Sequence, residues 1–210
     1  MTHRPAGIAV GSRSAGPHKR VEEQPVSQRV RDDPTTHAIL AGALAEVVRL
    51  HGVTLGNVQL MDWSSRQLRI AVNHGFGSEF LQVFHRVGMQ HGSVCARALR
   101  ERKPMLVEDV LADAAFEPYR AVAGRAGFRA VLSTPLISRT NAFLGVLSVH
   151  FPRAHHPSPE RLAATAALAS AAANAIVEFR PAPPTGAGAW QRSVARSRAL
   201  LAKPFKRIDR

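Results

Sequence analysis

The sequence contains a single cysteine, Cys95, among its 210 residues. One cysteine excludes an intrachain disulfide and is typical of proteins that work in a reducing compartment. No stretch approaches the roughly 18 apolar residues that a membrane-spanning helix needs. The first 20 residues also lack the continuous apolar segment of a secretory signal. We therefore expect a cytoplasmic protein without a membrane span.

Sequence motifs of common enzyme classes are also absent. There is no G-x-S-x-G, no phosphate-binding G-x-x-x-x-G-K-[ST], no G-x-G-x-x-G and no H-E-x-x-H. The ten histidines are scattered, and the adjacent His155 and His156 have poor geometry for binding one metal ion. We expect a protein that is not an enzyme and binds no metal. No motif specifies a cofactor, and neither haem nor tetrapyrrole is favoured.

The net charge of +13 suggests nucleic-acid binding until its position along the chain is considered. Residues 180–210 carry eight basic residues against one acidic residue, so this short segment supplies +7 of the total. The region between residues 35 and 179 is only mildly basic. Any contact with nucleic acid or an acidic partner is therefore expected from the C-terminal tail.

Composition divides the chain into three segments. Residues 1–34 are rich in Pro, Gly and Ser without hydrophobic periodicity and are expected to be a disordered leader. Residues 35–179 form the predicted domain. Residues 180–210 begin with a Pro- and Gly-rich linker and end as the basic tail.

Two long helices are expected at the ends of the domain. The first begins near Asp33-Pro34, carries apolar residues at three- and four-residue steps to Leu50, and stops at Gly52. The second begins with Ser158 as N-cap and Pro159 in the first turn, and it continues to Phe179. Its many alanines would let another helix approach closely.

Two strands follow the first helix. The segment Leu55–Asp62 alternates, with Val58 and Leu60 on one face. Its other face carries Asn57, Gln59 and Met61. The segment from Gln67 to Asn73 is the returning strand, and its alternation predicts that Leu68, Ile70 and Val72 share one face.

A second hairpin is the most strongly apolar part of the sequence. Its strands are Phe128–Ile137 and Ala142–Phe151, joined by a short polar turn. Each strand contains polar residues that an entirely buried strand would not need. Alternation places most of them on one face: Arg129, Ser133, Ser148 and His150.

Short helices separate the two hairpins. They are predicted at Phe76–Phe84, Val94–Arg102 and Phe116–Arg125, with a short strand at Met105–Val107. The order of helices and strands predicts an α+β domain with a mainly antiparallel sheet.

In their order and spacing, four stretches resemble the GAF domain family of PAS-like small-molecule sensors. They are GNVQLMD with LRIAVNHGF, then GSVCARALRERKPMLVEDVLAD, then FEPYRAVAGRAGFRAVLSTPLISR, and finally LGVLSVHF with its closing helix. The resemblance covers Thr35 to Phe179. It implies a central antiparallel sheet, with the two long terminal helices on one face and the short helices over a pocket on the other. It also implies a homodimer formed through the terminal helices.

Two reactions of cysteines known in this family are not expected at Cys95. Relatives that reduce methionine sulfoxide use several cysteines, and one cannot supply both an attacking and a resolving thiol. Relatives that attach a tetrapyrrole usually have a histidine after the cysteine, whereas Ala96 follows here. A helix N-terminus would lower the thiol pKa and make Cys95 reactive. The alternative is a small buried thiol.

The resemblance places a candidate ligand pocket between the polar strand face and the short helices. Arg129 has two interpretations, because it could bind an anion with the helix start at Ser93 or pair with Asp109 or Asp113. The candidate pocket residues are Gln59, Met61, Phe76, Phe80, Ser93, Val94, Cys95, Phe116, Tyr119, Arg129, Val131, Ser133, Ser148 and His150.

Two functions remain open at this point. The first is a non-enzymatic sensory protein that binds a small ligand or a partner and signals to a separate output protein through a dimer. The second is an interaction module whose pocket is filled by side chains and whose tail contacts nucleic acid or an acidic partner. Pocket volume distinguishes them, since room for no more than a few waters would contradict the ligand hypothesis.

Overall fold

A computed structural model describes residues 33–179 of the chain. Most of the predicted leader, and all of the predicted linker and basic tail, lie outside the described residues. Within that range, no helix combines the length and the apolar composition needed to cross a membrane.

The described chain is an α+β domain, as its sequence predicts. In chain order its elements are α1 (Pro34–His51), β1 (Leu55–Asp62), β2 (Gln67–His74), α2 (Ser78–Phe84), β3 (Arg86–Gly88), α3 (Val94–Glu101), β4 (Met105–Val107), a 3₁₀ helix (Ala114–Tyr119), α4 (Arg120–Ala126), β5 (Ala130–Ile137), β6 (Phe143–Phe151) and α5 (Pro159–Glu178).

The ends of the long helices follow from their capping residues. The Asp33 carboxylate accepts a hydrogen bond from the Thr36 backbone N–H at 2.6 Å and so starts α1. Gly52 ends α1 in the left-handed conformation, with φ of 64°. The Ser158 hydroxyl caps α5 by accepting from the Arg161 N–H at 3.4 Å. These predicted helix boundaries are confirmed.

The six strands within residues 33–179 form one antiparallel sheet in the order β3-β2-β1-β6-β5-β4. The strands β1 and β6 therefore lie at its centre. They approach so closely at Gly145 that a Cβ there would lie 2.0 Å from the Gln59 carbonyl oxygen. Any larger residue at this position would push the two central strands apart.

Strands β2 and β6 depart from simple alternation. Leu136 pairs with Gly145 but Ile137 pairs with Phe143, so Leu144 is an extra residue in β6. Val58 pairs with Val72 but Gln59 pairs with Ile70, so Ala71 is an extra residue in β2. This bulge reverses the side-chain direction along β2. Val72 joins the core beneath the long helices, whereas Leu68 packs on the opposite face. The prediction that Leu68, Ile70 and Val72 share one face is therefore wrong.

The sheet separates two hydrophobic cores. Helices α1 and α5 cover one face, where Leu44, Leu132 and Leu147 are among the buried residues. The short helices cover the other face, where the core is largely aromatic. The predicted arrangement of long helices on one side and short helices on the other is confirmed.

The segment before β5 differs from its prediction. A single helix from Phe116 to Arg125 is expected, but a 3₁₀ helix containing Pro118 precedes α4. Proline lacks the N–H that an α-helix would use at that position, so the chain adopts a separate, tighter turn. The sequence does not predict the three-residue strand β3, because its only large apolar residue is Val87.

Candidate functional site

A small cavity lies between the sheet and the short helices. Its volume is about 20 Å³. A buried water needs roughly 10–15 Å³ of such space, so the cavity has room for about one water molecule. Its walls combine polar strand residues with aromatic rings. The residues that line it are Asn57, Gln59, Phe80, Phe84, Ser93, Val94, Cys95, Phe116, Phe128, Val131, Ser133, Ser148 and His150.

The floor of the cavity is a polar row across the centre of the sheet. Asn57 on β1 lies opposite Ser148 on β6, and Ser148 lies opposite Ser133 on β5. The two serine hydroxyls form a hydrogen bond of 2.8 Å. Both serines are buried, so each hydroxyl satisfies the other without water. The predicted grouping of Ser133, Ser148 and His150 on one face is confirmed.

Three buried polar atoms of residues around the cavity lack a hydrogen-bond partner among the described residues. They are Asn57 Oδ1, Gln59 Oε1 and His150 Nδ1. The Gln59 side chain is held through its amide nitrogen, since Nε2 donates to the Phe84 carbonyl oxygen at 2.8 Å. An unsatisfied buried polar group costs roughly 1–3 kcal/mol. One water could relieve part of this cost.

His150 is neutral in this environment. Burial lowers its pKa from 6.5 to about 3, because an imidazolium would lose its hydration here. Aromatic rings surround it, with the Phe76 and Phe128 ring centroids at 4.8 and 4.7 Å. The histidine is therefore a neutral, polar group inside an aromatic cluster.

The roof is closed by phenylalanine rings. Phe76 and Phe80 stack with 3.5 Å between their centroids, and Phe84 follows at 4.6 Å from Phe80. Phe116 and Phe128 meet edge to face at 6.3 Å. All five side chains are buried. These rings occupy the space that a small-molecule ligand would need.

The helix start beside the cavity is not a reactive cysteine site. Cys95 is buried, and burial raises the pKa of its thiol, although the Ser93 hydroxyl 3.2 Å from Sγ opposes the change. Of the two interpretations that the sequence leaves open, the small buried thiol is confirmed, because the net shift of the thiol pKa is upward. Ser93 occupies the N-cap position of α3 without a side-chain capping bond.

Arg129 does not contribute to the cavity. Its Nε donates to Asp109 Oδ1 at 3.3 Å, and a second guanidinium nitrogen contacts Asp109 Oδ2. Strand β5 begins only at Ala130, after the left-handed residue Gly127, so the predicted alternation does not extend back to Arg129. Phe128 lines the cavity in its place. The placement of Arg129 on the pocket floor is wrong, and its pairing with Asp109 is confirmed.

Three other candidates lie near the cavity without lining it. Met61 is buried in the same aromatic core, and Phe76 lies behind Phe80. Tyr119 stacks on His91, with ring centroids 4.4 Å apart. The candidate set omits Asn57, Phe84 and Phe128, which do line the cavity. Alternation along β1 is the signal that identifies Asn57, and the four-residue spacing of Phe76, Phe80 and Phe84 is the signal that identifies Phe84.

An ion pair joins α3 to the 3₁₀ helix, two of the short helices that cover the cavity. Arg97 on α3 makes two hydrogen bonds to the Asp113 carboxylate, at 2.7 and 2.6 Å. The same carboxylate accepts from the Phe116 N–H at 2.9 Å and caps the 3₁₀ helix. Hydrogen bonds from Arg97 lower the pKa of Asp113. This network fixes the position of Phe116 over the cavity.

The sequence matches the GAF domain over residues 33–177. None of the proteins with curated descriptions matches. Among solved structures, a GAF domain/HD domain protein from Geobacter sulfurreducens is 20% identical, with a TM-score of 0.57 over 73% of this chain and 97% of that chain. The GAF domain of a phosphoenolpyruvate-protein phosphotransferase from Coxiella burnetii is 17% identical, with a TM-score of 0.57 over 82% and 90%.

An enzyme is also similar in fold. The free methionine-R-sulfoxide reductase from Neisseria meningitidis is 21% identical, with a TM-score of 0.56 over 72% of this chain and 83% of that chain. Its likeness concerns the fold alone. The domain match spans most of the chain and agrees with the sheet and helix layers described above. The chain therefore belongs to the GAF domain family.

Proposed function

We propose that this protein is a non-enzymatic regulatory module that acts through contacts with other protein chains, with its cavity closed by its own side chains. GAF domains are commonly sensory or regulatory parts of signalling proteins. The observation that carries the proposal is the cavity volume of about 20 Å³. A nucleotide, a haem or a tetrapyrrole needs several hundred Å³.

The layer of long helices is the proposed contact surface. Its outward side carries small exposed residues, among them Ala38 and Ala45 on α1 and Ala163, Ala167 and Ala171 on α5. Small side chains allow two helix pairs to approach closely. The proposed assembly is a homodimer formed by α1 and α5 of two copies, which passes its state to a separate output protein. The cytoplasmic location stays a prediction.

Light scattering after size-exclusion chromatography tests the dimer. We expect the wild-type chain to have twice the mass of one chain, and Ala167→Arg to have the mass of one chain. Arginine is a good helix former, so an exposed substitution on α5 should leave the fold intact. Ser65→Arg, in the exposed turn after β1, is the matched control and should remain dimeric. A monomeric wild-type chain would contradict the proposal.

A second candidate function is a ligand sensor whose roof opens. It is favoured by Asn57 Oδ1, Gln59 Oε1 and His150 Nδ1, which have no hydrogen-bond partner among residues 33–179 and which a polar ligand could satisfy. Ligand entry would require the stacked rings of Phe76 and Phe80 to separate. This candidate predicts that a small organic molecule copurifies with the protein, which the first candidate does not.

A further inference from the structure

The turn between β1 and β2 carries an exposed tryptophan. Residues 63–66 form this turn, and Trp63 is 58% exposed. Gln67 at the start of β2 pairs with Gly88 at the end of β3, so Met89, which is 46% exposed, follows at the same end of the sheet. Single exposed apolar side chains are ordinary, but two at one end of a sheet indicate a surface that contacts something other than water.

The turn between β5 and β6 lies at this same end of the sheet. Leu60, near the end of β1, pairs with Gly145, near the start of β6. The turn at residues 138–142, which leads into β6, is therefore close to the turn at residues 63–66. We call this end of the domain, which carries both turns and Met89, the turn end.

Three exposed arginines make the turn end positively charged: Arg66, Arg100 and Arg102. Arg100 donates to the Met89 carbonyl oxygen at 2.5 Å, and Arg102 donates to the Asn141 carbonyl oxygen at 2.9 Å. None of the three arginines forms an ion pair with a carboxylate among residues 33–179. Hydrogen bonds to neutral carbonyl groups leave their positive charge in place, so this end attracts anions.

Acidic residues near these arginines do not offset this charge. Glu101 lies 3.8 Å from the Lys103 ammonium group, and Glu178 pairs with Arg139 at 2.6 Å. Asp62, at the end of β1, is buried. The exposed charge that remains at the turn end is therefore positive.

The basic C-terminal tail continues from the turn end. Asn174 Oδ1 accepts a hydrogen bond from the Arg139 backbone N–H at 2.7 Å, and the Arg139 guanidinium donates to Glu178 at 2.6 Å. Helix α5 therefore ends beside the turn between β5 and β6, and residues 180–210 follow it. They carry eight basic residues against one acidic residue and include Trp190, the only other tryptophan of the chain.

We propose that the turn end binds an anionic membrane surface. The Trp63 ring lies among the lipid headgroups, where both its apolar body and its N–H find suitable surroundings. Arg66, Arg100 and Arg102 contact lipid phosphates and carboxylates, and the basic tail adds to the attraction. A membrane fits better than an acidic protein, because Trp63 lies on an exposed turn and the tail continues from the same end. This surface is distinct from the helix layer proposed for the dimer.

Sedimentation of the full chain with lipid vesicles tests this surface. We expect the protein to sediment with phosphatidylcholine vesicles that contain about one third phosphatidylserine, and to stay in solution with phosphatidylcholine alone. Arg66→Gln should weaken binding to the anionic vesicles about fivefold. Arg153→Gln is the matched control, because Arg153 is an exposed arginine beyond the opposite end of β6. No sedimentation with anionic vesicles, or equal binding by the two variants, would overturn the proposal.

Tryptophan fluorescence separates the turn end from the tail. Trp190→Phe leaves Trp63 as the only tryptophan and changes nothing within residues 33–179. We expect the emission of this variant to shift to shorter wavelength when anionic vesicles are added, because the Trp63 ring leaves water for the headgroup region. Phosphatidylcholine vesicles should cause no shift. Unshifted emission from a variant that sediments with anionic vesicles would show that the tail alone binds them, which would overturn the proposal.

Discussion

Ser133 and Ser148 lie directly opposite each other on β5 and β6, and their hydroxyls share a 2.8 Å hydrogen bond beneath a roof of phenylalanines. Each is the other's only side-chain partner at the centre of the sheet within the described residues. Their bond explains how two polar side chains can occupy an otherwise aromatic core. It also makes the two positions energetically dependent on each other.

We expect this dependence to appear in a double-mutant cycle. Ser133→Ala and Ser148→Ala should each lower the free energy of unfolding by roughly 1–3 kcal/mol, because each leaves a buried hydroxyl unpaired. The double variant should lose clearly less than the sum, since no hydroxyl is then left without a partner. Urea denaturation measures all three, with the exposed Ser65→Ala as control. Additive losses would mean that the two hydroxyls are not coupled.

Acid should destabilise the domain through His150. Its folded-state pKa of about 3 lies below the ordinary value of 6.5, so between these values the unfolded state binds more protons. Stability is therefore complete above about pH 6.5 and decreases as the pH falls toward 3. At pH 5 the protonation of this residue in the unfolded state lowers the free energy of unfolding by about 2 kcal/mol. His51, with a pKa of about 4, adds a loss of the same sign.

The variant His150→Leu isolates this contribution. Its free energy of unfolding, measured by urea denaturation from pH 7 to pH 5, should fall by about 2 kcal/mol less than that of the wild type. The remaining slope would come from His51 and from other titrating groups. Parallel pH profiles for the two proteins would show that His150 is not held neutral by burial.

Two neighbouring carboxylates should differ in their importance for stability. Asp113 is partly buried, pairs with Arg97 and caps the 3₁₀ helix, so Asp113→Ala should cost about 2–4 kcal/mol. Asp109 pairs with Arg129 in a more exposed position, so Asp109→Ala should have a clearly smaller effect. Thermal unfolding compares them directly. A larger loss for Asp109→Ala would contradict this account of how α3 and the 3₁₀ helix are joined.

Local signals in the sequence predict most of the fold. The caps at Asp33 and Ser158 and the stop at Gly52 set the long helices, because each signal acts within one turn of helix. Alternation along β1, and along β6 from Val146 to Phe151, correctly separates the two faces of the sheet, whereas the extra residue Leu144 places Phe143 on the same face as Val146. The grouping of Ser133, Ser148 and His150 follows from the same two-residue period.

Features that depend on non-local contacts could not be predicted in this way. The bulge at Ala71 is set by pairing between β1 and β2, and it reverses the direction of Val72 relative to Leu68. The Arg129 side chain lies outside the cavity because it pairs with Asp109 and because β5 begins only at Ala130. The cavity volume depends on how phenylalanines from three separate segments pack together. The pocket residues were therefore easier to predict than the space between them.

Native mass spectrometry of the full-length protein, purified from its own host, tests the central claim most directly. If the cavity is closed and the protein acts without a ligand, we expect a dimer whose mass is that of two chains. No small organic molecule should be released when it is denatured. A small organic molecule retained by the wild-type protein would contradict the claim. Such a result would instead establish the opened-roof sensor.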